Sequence, residues 1–307
     1  MIVPGAEGPG CFPPSTNAEI KALACELPAT TGVPLSRWSC SELARELVIR
    51  GVVAFISAAT VWRTLRSDAI RPWRYQSWIF PRDPHFEAKA ARVLDLYARV
   101  FEGQALGENE FVISADEKTS IQARCRCHPT LPPGVARLMR VEHEYERKKA
   151  VAYLAAYDVH RAQVSGRCED TTGIVAFGRL VEQVMTAEPY ASAERVFWVV
   201  DNGSSHRGQA SIDRLEGEWP TLRLIHLPIH ASWLNQVEIY FSVIQRKVVN
   251  PNDFFDTAAI AERLVAFEDR YNAVSDPFDW TFTADDLKDF LKRLAEHDPA
   301  AVALVAA

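Results

Sequence analysis

The spacing of apolar residues changes character along the chain. Over residues 18–27, 39–67 and 86–101 it repeats every three to four positions, which predicts helices. Residues 39–67 read as a helix pair. Leu43, Ala44, Leu47 and Val48 share a face of the first helix, and Val61, Leu65 and Trp62 turn inward on the second. Ser39 or Ser41 is placed to cap the first helix and Ser57 the second. Pro28 to Pro34 interrupt the earlier pattern, and Pro81 and Pro84 mark a linker. The helix over 86–101 carries Val93, Leu94, Tyr97, Val100 and Phe101 on one face.

From residue 111 the pattern becomes one of short apolar runs. FVISAD predicts a buried strand ending at Asp116. RLMRVEHEY (137–145) and AVAYLAAYDVH (150–160) predict two more, with residues 163–168 extending the sheet. Thr171 or Thr172 opens a helix reaching Met185, and VFWVV predicts a strand ending at Asp201. A helix over 207–218, a strand over 222–228 and a helix over 233–249 follow, the last with Leu234, Val237, Phe241, Ile244 and Val248 on one face. Strands in succession and then strands alternating with helices imply an α/β domain. Its sheet is mixed, an antiparallel meander joined to parallel strands.

Composition leaves this picture standing: 48% hydrophobic and 24% charged residues are ordinary for a globular chain of 307 residues. No apolar run is long enough to span a bilayer and the start lacks a secretory signal, so the expected location is cytoplasmic with no membrane partner. The six cysteines read as reduced thiols. Cys125, Cys127 and His128 offer soft ligands but lack a second pair for zinc.

Charge changes the picture more. The net charge of −6 argues against a nucleic-acid partner. However, residues 251–307 hold five basic and twelve acidic side chains, a net of −7, so the preceding 250 residues carry +1. Window 36–82 has eight arginines and three acids. Thr60, Arg63 and Arg66 lie on the polar face of its second helix. Arg71 and Arg74 follow among Trp73, Tyr75 and Trp78, as a strand or arm. The pattern suits a winged helix-turn-helix that binds DNA, and equally a small helical bundle with a solvated basic face.

Candidate chemistry lies in three carboxylates. Asp116 and Asp201 each sit where an apolar strand emerges, the edge at which α/β sheets bind ligands. Each also suits a cap or turn. Glu238 borders the sheet-facing side of its helix, or is a flank charge pairing along it. Together, three carboxylates can hold two hard divalent cations for phosphoryl transfer. No P-loop or dinucleotide fingerprint is present.

At SADEKTSIQAR (114–124), VFWVVDNGSSHRG (196–208) and HLPIHASWLNQVEIYFSVIQRK (226–247) the chain resembles the DDE transposases of bacterial insertion sequences, in the branch related to the mariner superfamily. The resemblance covers about residues 20–295. It implies a ribonuclease-H-like catalytic core holding two Mg²⁺ or Mn²⁺ ions, with Asp116, Asp201 and Glu238 as catalytic and metal-binding residues. It also implies cleavage at an element's terminal inverted repeats, strand transfer into TA-type target DNA, a homodimer on DNA and association with the nucleoid. Lys118, His206, His230 and Asn235 are expected to orient the loop, a water or a phosphate, or to serve as local hydrogen bonders; Trp233 is expected to pack.

The implied organisation is a disordered start (1–18), a helix-turn-helix-like DNA-binding segment (19–84) and a catalytic domain with an acidic tail (85–307). Members of this branch begin with a further helix-turn-helix, so the chain reads as a member shortened at its N-terminus. Beside an active transposase stand a catalytically silent DNA-binding remnant that regulates transposition, and a nuclease without transfer activity.

Overall fold

The structure is a computed structural model that describes residues 12–75, 81–135, 137–203 and 205–297. The chain divides into two compact units, Met1–Ile79 and Phe80–Ala307.

The first unit is helical. α1 (Pro14–Cys25) starts within the segment expected to be disordered, with its proline in the first turn, where no backbone donor is needed. α2 (Cys40–Ile49) is closed by a capping box in which the Ser39 hydroxyl accepts from Glu42 N and Glu42 accepts from Ser39 N. α3 (Ala58–Ser67) is capped by Ser57. Ile20, Leu23, Trp38, Leu43, Leu47, Val61 and Leu65 form the core. Trp62 and Val48 are exposed, contrary to expectation. The arm over 71–75 is not a strand. Its continuation, with Trp78, lies outside the described residues.

The second unit opens with α4 (Phe86–Tyr97). That helix stops short of the predicted Phe101 because Arg99 takes a left-handed φ of 59°. A hairpin of β1 (Val100–Phe101) and β2 (Gln104–Ala105) follows. The main sheet comprises β3 (Glu110–Cys125), β4 (Glu146–Asp158), β5 (Gln163–Glu169), β6 (Arg195–Val200) and β7 (Leu222–His226), in the order β5-β4-β3-β6-β7. β3, β4 and β5 are antiparallel, and β6 and β7 run parallel to β3, as the element order predicted. The expected strand over 137–145 is absent. That stretch is a loop with one bridge, Leu131 to Arg140, and Leu138 and Met139 are exposed, so their apolar character does not mark a buried face.

Alternation along the strands splits the core in two. Val112, Phe197, Val199 and Ile225 face one side with α7 (Val237–Ile244), α8 (Thr257–Asn272) and α9 (Ala284–His297). Ile113, Ala115, Val196, Trp198 and Val200 face the other with α5 (Ile174–Met185) and α6 (Gln209–Glu218). Gly173 precedes α5 and no side chain caps it, so the threonine cap expected there is not made. The acidic tail is largely two helices. Ile260, Leu264 and Leu287 are buried in the first core, each stabilising the fold by roughly 1.5–3 kcal/mol.

Candidate active site

β3 does not end at Asp116; it continues to Cys125. What ends there is its pairing with β6, whose last partnered residues are Ser114 and Val199. Extending that register two residues sets Asp116 level with Asp201, on the face that also carries Val112 and Val199. Asp116 is therefore mid-strand, at the point where β3 loses its parallel neighbour and keeps only β4.

Asp116 is buried and fully engaged. Its Oδ1 accepts from Glu117 N at 2.7 Å and its Oδ2 from Asn235 Nδ2 at 3.2 Å. Burial, then the charge of Asp201, push its pKa up to about 7, and Glu117 and Glu238 add to the repulsion. Asp201 is held below the usual carboxylate range, chiefly by the hydrogen bond from His206 and further by Gly203 N, against a burial effect of opposite sign. One carboxylate at this edge thus favours its proton and the other its charge.

The supports of the two aspartates differ. His206 is fully buried, approaches Asp201 Oδ1 with Nε2 and lies against Phe177. Its Nδ1 is 3.0 Å from Ser205 Oγ, which donates to Glu117 Oε1 at 2.9 Å, so the loop after β6 is tied to β3. Arg214 of α6 holds the Ser205 carbonyl. A side chain at Gly203 would place Cβ 2.9 Å from Asp201 Oδ1 and 3.0 Å from His206 Nε2, so only glycine lets the loop pass this close.

Asn235 interrupts the predicted helix over 233–249. A short 3₁₀ turn (Ser232–Leu234) precedes it, its backbone is extended, and α7 begins at Val237. The break frees its amide to turn into the sheet, where Nδ2 also donates to Ala115 O and Oδ1 accepts from Ser114 Oγ. Ser114 in turn accepts from Val237 N. Ser114, Ser205 and Glu117 were not singled out in the sequence. A fully buried serine inside an apolar strand was the available signal for the first.

Glu238, in the first turn of α7, is exposed rather than packed toward the sheet. Its carboxyl is pushed up by partial desolvation and by Asp201, while Lys118 pulls it down, so it lies within electrostatic reach of both. Lys118 is half-buried two residues along β3 from Asp116. His230 is exposed, with a φ of 62°, and with Asp201, Asn202, Gly203 and Arg207 it lines a cavity of about 390 Å³. Trp233 packs edge-on against Phe282 and Phe290.

Among the described residues, no three or more His, Cys, Asp and Glu side chains are arranged to hold a metal ion. The two aspartates, as hard oxygen donors whose mutual repulsion a cation would relieve, fit a divalent ion. Glu238 does not close on them in this arrangement. Cys125 and Cys127 are free thiols, and His128 pairs with Glu142.

In the first unit, Arg66, Arg71 and Arg74 gather with Trp62 and Trp73 around a recess of about 430 Å³, with Arg66 stacked on Trp62. Thr60 and Arg63 are not part of that recess. Arg63 donates to the Thr60 hydroxyl at 3.1 Å.

Residues 112–260 match the DDE superfamily endonuclease family. No curated protein matches the chain. Among solved structures it is similar to the Mos1 mariner paired end complex with Mn, at 15% identity over 98% of this chain and 82% of that one, TM-score 0.54. The Mos1 transposase paired-end complex with left transposon end has 16% identity, the same coverage and TM-score 0.54. The Mos1 strand transfer complex has 15% identity, again the same coverage, and TM-score 0.51. The mixed five-stranded sheet with flanking helices is thus a ribonuclease-H-like fold of the kind seen in the Mos1 structures, and the stretch that matches the DDE endonuclease family spans most of that sheet.

Proposed function

We propose that this chain is a metal-dependent DNA transposase, which cleaves DNA at the ends of a mobile element and joins the freed strands to target DNA. The observation that carries this reading is the placement of Asp116 level with Asp201 beneath the start of α7, inside the segment that matches the DDE endonucleases. When bound, two Mg²⁺ or Mn²⁺ ions would activate the attacking oxygen and stabilise the leaving one.

The chain's own residues prepare that site. Asp116 and Asp201 supply the hard oxygens, and Glu238 completes the set by a change of rotamer. His206 keeps Asp201 charged, and Asn235 fixes the Asp116 carboxyl plane. Lys118 beside Glu238 and Arg207 beside the cavity face a phosphate electrostatically. In the helical unit, the recess of Arg66, Arg71 and Arg74, together with Thr60 and Arg63, holds terminal-repeat DNA. The expected partners are those repeats, TA-type target DNA and a second copy of the chain.

Incubation with Mg²⁺ or Mn²⁺ and the element's own terminal repeats should give strand cleavage and joined products, and Asp116→Asn should abolish both while the protein stays folded. Cleavage that survives Asp116→Asn would overturn the site. The displaced Glu238 and the engaged Asp201 favour a second reading, a catalytically silent DNA-binding regulator. It predicts salt-dependent binding of the repeats without cleavage under any metal condition.

A further inference from the structure

The far end of the β3–β4 ribbon carries a cationic cluster that the carboxylate site does not use. Arg124 and Arg147 are direct cross-strand partners. Like charges placed opposite each other on a ribbon destabilise it unless something offsets them. Arg124 and Arg126 both lie over the Tyr145 ring, at 4.8 and 5.6 Å from its centroid. Stacking of this kind fixes the plane of each guanidinium and hence the direction of its donors.

Among the described residues, none of Arg124, Arg126, Arg147 and Lys149 forms an ion pair. The pairs in this region are His128 with Glu142 and Lys148 with Glu146. The nearby Asp253 accepts from the Arg126 backbone, and Asp256 caps α8. Arg126 gives one bond, from Nε to the Glu142 carbonyl. Arg124 Nε and Arg126 Nη1 are shielded from solvent and have no hydrogen-bond partner. Both arginines are only half-buried, so their remaining guanidinium nitrogens stay open to an acceptor from outside. Beside them, Arg147, Lys148 and Lys149 line a recess of about 550 Å³ with Phe255, Asp256 and Thr257, so three cations face one carboxylate there.

We propose that Arg124, Arg126 and Arg147 form a phosphate-binding site for the DNA backbone, separate from the carboxylate site. Paired, planar guanidinium forks match phosphate oxygens better than any single lysine does. β3 links this cluster to the carboxylates: Arg124 lies eight residues beyond Asp116, past two irregularities in the β3–β4 pairing. The cluster would then hold the duplex away from the cleaved bond, on the same strand as the carboxylates. This inference rests on the reading of the carboxylate site as one that cleaves DNA.

The test is binding of a labelled duplex of arbitrary sequence to the full chain without metal, by fluorescence anisotropy over a range of salt. Arg124→Gln with Arg126→Gln should make the slope of log affinity against log salt shallower by about 2, and Arg124→Lys with Arg126→Lys should restore most of it. If the glutamine pair does not fold, the exposed Arg147→Gln is the second variant, with an expected change of about 1. An unchanged slope in a folded variant overturns the proposal, as does a change of oligomeric state in place of the slope. Cleavage of terminal repeats by the wild-type chain, measured separately with Mg²⁺, distinguishes the two failures. An unchanged slope with cleavage intact sinks this site alone, whereas absence of both DNA binding and cleavage sinks the transposase reading as well.

Discussion

Asn235 donates to Asp116 across 3.2 Å and so ties the approach to α7 to the middle of β3. The same amide side chain holds Ala115 O and accepts from Ser114, all in a buried setting. One residue therefore sets both the helix start and the carboxyl orientation.

Asn235→Ala should cost about 1–3 kcal/mol in stability, because it strands buried polar groups on β3. Asn235→Asp should cost more at pH 8 than at pH 5, since it sets a second carboxylate beside one already pushed up to about 7. Thermal melts of both variants at the two pH values check this. Equal losses for the Asp variant at both would refute the electrostatic part.

Removal of His206 should change the titration of Asp201. The His206 hydrogen bond is the main cause of its lowered pKa, so in metal-free His206→Ala the Asp201 carboxyl should titrate at higher pH. Carbon-13 NMR of labelled aspartate reads this directly. An unmoved Asp201 would mean that Gly203 N suffices to hold it.

Glu268 on α8 offers a stability test away from the site. It accepts from Tyr153 Oη at 3.1 Å, and burial pushes its pKa from 4.5 up to about 7. The folded state thus binds the proton more tightly than the unfolded chain does. The associated stability is fully present below about pH 4.5 and is lost as pH rises through about 7. Glu268→Gln should therefore be near neutral at pH 4 and more stable than wild type at pH 8, by up to about 3 kcal/mol. Denaturant unfolding at both pH values decides it, and a pH-independent difference would count against it.

Gly166 on β5 should tolerate no side chain. A Cβ there would overlap the hydroxyl and ring of Tyr153, which is 1% exposed and has no room to retreat. Gly166→Ala should cost about 1–3 kcal/mol, and Tyr153→Leu in the same chain should remove part of that cost. Additive losses in the double variant would show that the clash is not the cause.

Much of the second unit was legible because β6 and the adjoining halves of β3 and β4 are buried on both faces. VFWVV and AVAYLAAY leave little choice but a central strand, and the element order then dictated the mixed sheet. RLMRVEHEY misled because its apolar side chains are exposed on a loop, and periodicity cannot distinguish an exposed apolar residue from a buried one. The helix expected over 233–249 missed its break because Asn235 stops it through tertiary hydrogen bonds, not through local propensity. The proposed acids could be read by residue type and place. Their partners Ser114, Ser205 and Glu117 could not, since each acts on a residue distant in sequence. Glu238 was placed on the right helix and the wrong face. The arginines of the cationic cluster escaped notice because only the strand register sets Arg124 opposite Arg147.

The match to the endonuclease family stops at residue 260, inside α8. The packing does not. Tyr97 at the end of α4 meets Trp280, and Trp233, two residues before Asn235, is walled by Phe282 and Phe290. The first and last helices of the unit, α4 and α9, also pack on each other. A fragment cut to the borders of the match would thus lose the far wall of its own core, and expressed alone it should aggregate. The matched stretch and the packed unit therefore have different borders, and the packing extends past the match on both sides.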